Sequence, residues 1–127
     1  MGTNQIDRGR GATWTFSVSR AVTSGIFVIM DGAAVKPASA SAAGVVGVVF
    51  TKGSATGSIT TAGVICEGVV YMKVTGADGT AGQLVRAGAG GLAFPFTPTS
   101  DSRADLTAGI LIEDITNGSR GLIKLRL

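Results

Sequence analysis

The chain has no histidine, a single cysteine and only three prolines. Without histidine, the commonest general base and the commonest transition-metal ligand are missing. The lone Cys66 rules out an internal disulfide framework, and a thiol nucleophile would have no imidazole beside it. In GVICEGVVYM it reads as a small buried hydrophobe. Aromatic residues make up 6% of the 127, so any core must be aliphatic. Charged residues make up 15%, against about a quarter in ordinary globular chains. Such low charge suggests surface hidden in an assembly. No apolar run approaches the roughly 18 residues of a membrane span; the longest, 42–50, is broken by glycines. The start lacks a basic segment followed by an apolar one, so neither a signal peptide nor a membrane partner is expected.

What is abundant is glycine, 20 residues without a Gly-X-Y period, among Val, Ile, Leu and Ala. Tight turns between short strands fit that mixture. The net charge of +3 is dispersed, with no basic run, which argues against a nucleic-acid partner. Residues 1–11 are polar and aperiodic and read as an extended arm, with 12–127 as one β domain. Residues 13–19 alternate strictly, setting Trp14, Phe16 and Val18 on one side as core or oligomer seam, with core favoured for Trp14. Further strands are expected over 25–30, 34–36, 44–50, 64–66, 68–74, 83–86 and 92–96, with a return strand beginning at 58–61. Residues 38–43 read as a loop or a short helix, and Glu67-Gly68 as a bulge or bend.

The last stretch, 109–127, reads as a hairpin around Asn117-Gly118, a pair that suits a tight primed turn. Its closing strand alternates: Ile123, Leu125 and Leu127 form an apolar stripe, and Leu122, Lys124 and Arg126 face away. The stripe is expected in the core or at a seam between subunits. No stretch holds a helical apolar period, so the fold class is all-β, a small barrel or sandwich of short antiparallel strands.

Two parts of the chain echo each other. Gly25-Ile-Phe-Val28, Gly32 and Pro37 match Gly82-Gln-Leu-Val85, Gly90 and Pro95, and Ala43-Gly44 matches Ala108-Gly109. Half-repeats of about 25–61 and 82–127 follow, packed together because one hairpin pair cannot bury its own apolar face.

Chemistry is scarce. Glu113 and Asp114 are the adjacent acids, and on a strand they would point to opposite faces. Asp101 and Asp105 lie in a Ser/Thr-bearing loop, 97–105, that lacks the Ca²⁺-loop pattern. The glycines at 88, 90 and 91 lack the Gly-Lys-Ser/Thr of a phosphate-cradling loop. We expect no enzyme, no metal and no cofactor.

The layout resembles the capsid decoration, or cement, proteins of tailed bacteriophages. The likeness is carried by the Gly-containing arm, the Thr-rich strand 13–19, and the turn Val22-Thr23-Ser24-Gly25. The hairpin GVVF at 47–50, the strand GVVYMKV at 68–74 and the terminal AGIL…GLIKLRL of 108–127 complete it. The arginines of the arm and the longer 97–105 loop depart from the family's style. The resemblance implies a structural protein made in the host cytoplasm and carried on the outer capsid surface of the virion. It would be a homotrimer bridging subunits of the major capsid protein, with Ile6, Asp7, Arg8 and Arg10 of the arm as its capsid-binding residues. The alternative is a receptor- or carbohydrate-binding β module of a phage fibre, for which Phe94 and Phe96 would be the loop aromatics.

Overall fold

In the computed structural model the described residues are 13–42, 44–51, 61–96 and 107–126. They form ten strands: β1 (Thr13–Val18), β2 (Phe27–Asp31), β3 (Ala34–Pro37), β4 (Val45–Thr51), β5 (Thr61–Ile65), β6 (Val69–Lys73), β7 (Leu84–Ala87), β8 (Ala93–Phe96), β9 (Gly109–Leu111) and β10 (Arg120–Leu125). Strands β1–β5 close a barrel in the order β1-β3-β2-β4-β5, and β6–β10 form a second sheet in the order β6-β10-β9-β7-β8. The fold is all-β, as the patterning requires. Residues 38–42 carry a turn rather than a helix.

The two units pair their strands alike. In the barrel β3 lies antiparallel to β2, β2 to β4, β4 to β5 and β5 to β1. The ring closes through a short parallel contact, Val18 beside Val35. In the second sheet the corresponding neighbours are β8–β7, β7–β9, β9–β10 and β10–β6. A parallel bridge, Val74 to Ala93, brings its two outer strands together, with Thr75 N–H donating to Ala93 O at 2.8 Å. Pro37 ends β3 beyond the segment that pairs with β1, where its missing N–H is not needed.

Pairing also decides which glycines correspond. Val28 faces Gly47, and Val85 faces Gly109. Gly44, matched to Gly109 by sequence, is instead an exposed turn residue at φ +76° ahead of β4. β-bulges shift the register of β4 against both neighbours, which defeats an ungapped match.

Over 27–28 and 47–49, where they pair, β2 and β4 are buried on both faces. Val28 and Val49 point into the barrel with Val18, Val35, Ala62 and Val64. Phe27 and Val48 point outward into a core shared with Val70, Met72, Val85, Leu111, Ile123 and Leu125. This accounts for Phe27-Val28 and VVGVV, which show no polar alternation: a wall covered on both sides needs apolar residues throughout. Burying Phe27 completely contributes about 2–3 kcal/mol. The units meet closely at the 3₁₀ turn Ala89–Gly91, where a Cβ on Gly91 would lie 2.8 Å from Phe27 O. They are linked through Glu67-Gly68, a bend as expected, with Gly68 at φ +107°.

Three expectations change. Trp14 is 60% exposed and is not in the core of the chain. Along β1 burial rises from Trp14 through half-buried Phe16 to Val18, because the interior opposite Trp14 is already filled by Val64 and its partner Val49. The terminal hairpin is real, but β9 and β10 are joined by residues 112–119 rather than by a two-residue turn. Within that loop Ser119 N–H donates to Thr116 O at 2.8 Å, and only Gly118 has positive φ, +90°, so the turn is not of the primed I′ kind. Finally, Glu113 and Asp114 lie in this loop and not on a strand. The chain leaves β9 early because Ile115 docks against Gly79, exchanging backbone hydrogen bonds of 2.7 and 3.0 Å.

Candidate functional site

The three carboxylates around that loop are acceptors for backbone. Glu113 Oε2 takes Leu122 N–H at 2.9 Å, Asp114 Oδ1 takes Ala81 N–H at 2.9 Å, and Asp78 Oδ1 takes Asn117 N–H at 2.8 Å. Their role is to hold the loop in place. Cys66 is half-buried against the barrel core, and burial, with the negative charge of Glu67 second, pushes its thiol pKa up, away from the reactive thiolate. Among the described residues no group of His, Cys, Asp and Glu converges as metal ligands.

The expected binding and seam residues are dispersed. Ile6, Asp7, Arg8 and Arg10 lie outside the described residues, as do Leu127, the loop 97–105 and residues 58–60 of the expected return strand. Ile123 and Leu125 are buried in the shared core, and Val18 in the barrel. Phe94 and Phe96 are strand residues of β8, half-buried, and not loop aromatics. Arg86 spans both rings, its guanidinium carbon 4.4 Å from the Phe94 centroid and 5.7 Å from that of Phe96, and donates to Ser41 Oγ.

The exposed apolar surface lies elsewhere. On β6 the burial alternates, turning Val70 and Met72 inward and leaving Val69 and Tyr71 out, 44% and 59% exposed. On β10 Ile123 and Leu125 turn inward, and Leu122 stays 41% exposed between Arg120 and Lys124. Antiparallel pairing sets these residues side by side: Leu122 opposite Tyr71, Arg120 opposite Lys73, Lys124 opposite Val69. The outer face of this strand pair is thus an apolar centre with cations at its ends.

Beside it, at the junction of the two units, opens a cleft of about 330 Å³. Phe50, 54% exposed, and Tyr71 are its aromatic walls, Val48 and Val70 belong to its floor, and Ser24, Gly25 and Arg120 stand at its rim. The barrel side of the rim is held to β4: Gly25 N–H donates to Val49 O at 2.9 Å, and Ser24 Oγ donates to Phe50 O at 3.3 Å. Of its lining residues only Arg120 and Tyr71 can ionise, and the lining holds no acid. Such a surface can stack, bury and attract, but it holds no pair for proton transfer.

Sequence patterning finds β6 as a strand, and the Lys73 position marks its wet face. Phe50 gives no such signal, because the bulges of β4 decide which way it points.

No protein-family model matches the chain, and no curated protein matches it in sequence. Among solved structures the fold is similar to that of the head fiber gp8.5 N base in bacteriophage phi29. The two align with a TM-score of 0.66 at 14% identity, over 91% of this chain and 93% of that one. At that identity the likeness is one of fold.

Proposed function

We propose that this chain is a structural virion protein of a bacteriophage that binds the outside of the assembled head and stabilises contacts between major capsid subunits. The observation that carries the reading is the end-to-end match to a head fiber base, a part of a phage head assembly, over nearly the full length of both chains. Low charge and exposed Trp14, Phe50, Tyr71 and Leu122 support a protein that works within an assembly. A homotrimer suits a symmetric shell, where many modest contacts add up through multivalency. In this reading the arm, with Ile6, Asp7, Arg8 and Arg10, orders on a neighbouring capsid subunit at about 1–2 kcal/mol per backbone residue fixed.

The test is co-sedimentation with heads of the parent phage assembled without this protein. Wild type should pellet with the heads, and deletion of residues 1–11 should leave a folded oligomer that binds them more weakly. Wild type remaining in the supernatant would sink the reading; full binding by the deletion would sink the arm's part in it.

A second reading, a carbohydrate- or receptor-binding module of a phage fibre, draws support from the two exposed aromatics beside the cleft. Binding on a glycan array that is lost in Tyr71→Ala, without binding to heads, would favour it.

A further inference from the structure

We propose that the outer face of β6 and β10, with the cleft beside it, is the docking surface for an acidic protein surface that carries an apolar centre. This rests on the head-binding reading and names which face of the folded unit meets the shell.

The argument starts from composition. Outward positions within the two strands read Val69, Tyr71, Lys73 and Arg120, Leu122, Lys124. No acid stands among them. No ion pair engages Lys73, Arg120 or Lys124 among the described residues, and the acid Glu67 lies beyond these three, level with Arg126. On the β9 side Glu113, held by Leu122 N–H, sets one negative charge against these three cations. Against this ring of cations sit Tyr71, Leu122, Val69 and, across the cleft, Phe50, each more than two-fifths exposed. Water contact with such a patch is unfavourable, and contiguous apolar surface rimmed by charge marks a protein interface.

Charge complementarity selects the occupant. Two copies meeting face to face would oppose like charges, which disfavours a symmetric self-contact. Nucleic acid would draw on the cations but leave Val69, Leu122 and Phe50 without a use. A partner with carboxylates around an apolar knob uses every group: the knob fills the cleft between Phe50 and Tyr71, and Lys73, Arg120 and Lys124 meet the acids.

The experiment uses the full chain and the same phage heads. Lysine acetylation of wild type bound to heads should spare Lys73 and Lys124 relative to free protein, while Lys36 reacts in both. Lys73→Glu/Lys124→Glu should keep the melting temperature and oligomer mass of wild type and lose at least ten-fold in head affinity, with the salt dependence flattened. Wild type bound to heads with Lys73 and Lys124 still fully reactive would overturn this proposal alone. Wild type failing to bind heads at all would overturn it together with the head-binding reading. Self-association or nucleic-acid binding abolished by the double reversal, with head binding intact, would also overturn it.

Discussion

Gly47 and Gly109 occupy corresponding places in the two units, and each is forced by its neighbours. A Cβ at Gly47 would sit 2.5 Å from both Ile65 O and Val64 Cγ1, and one at Gly109 would sit 2.8 Å from Lys124 O and Ile123 Cγ2. Backbone oxygen cannot swing aside as a side-chain tip can, so the strands would have to part. Gly47→Ala is therefore expected to destabilise the protein by about 2–4 kcal/mol in urea denaturation. Gly118 provides the contrast: its φ of +90° is strained for alanine, but open space surrounds its Cβ. Gly118→Ala should cost about 1 kcal/mol. Equal costs for the two would show that close approach is not what Gly47 supplies. Sequence shows both as glycine in β-rich surroundings. Only the pairing partner tells a packing glycine from a turning one, and that information lies outside the local sequence.

At the scale of the strand, β10 is the most legible element, because one face is wet and one dry. Its period of two assigns Ile123 and Leu125 to one side and Leu122 and Lys124 to the other without any knowledge of neighbours. Leu125→Asp would place a carboxylate in the shared core, where Leu125 is 6% exposed and no cation waits for it. A loss of about 4 kcal/mol or more is expected, seen as unfolding or dissociation in circular dichroism and native mass. Leu122→Asp, three residues earlier on the outer face, should fold normally. A soluble, fully assembled Leu125→Asp protein would mean the strand is peripheral. The strands β2 and β4 were legible as strands but not as a double-sided wall, since an unbroken apolar run does not say what covers each face. Trp14 misleads for a related reason. Its register with Phe16 and Val18 is right, but alternation gives the side of a strand and not the depth within the barrel.

For the whole molecule, what matters is that the units share one wall. Phe27 and Val48 belong by chain to the barrel and by packing to the core of the second sheet. Neither unit can open without exposing the other. One cooperative thermal transition is expected, with the fluorescence of the sole Trp14, in the barrel, and of the sole Tyr71, in the second sheet, changing at the same temperature. Phe27→Ala should lower both by the same amount, for a loss of about 3–5 kcal/mol. Two separated transitions would show that the wall is not shared. The likeness of the halves was partly visible in the sequence through Gly25, Gly82, Pro37 and Pro95, which punctuate turns and strand ends. The parts that β1 and β6 play were not, because their partners are remote in the chain.

One feature of the topology carries over to mechanics. Strand β1 lies between β3 and β5, and β10 between β6 and β9. A pull on either end therefore meets a strand gripped from both flanks. It cannot be peeled away one hydrogen bond at a time like an outer strand, and must slide past two neighbours together. Tension entering at one end passes through the common wall to the other, so the molecule behaves as a single tie rather than two beads on a string.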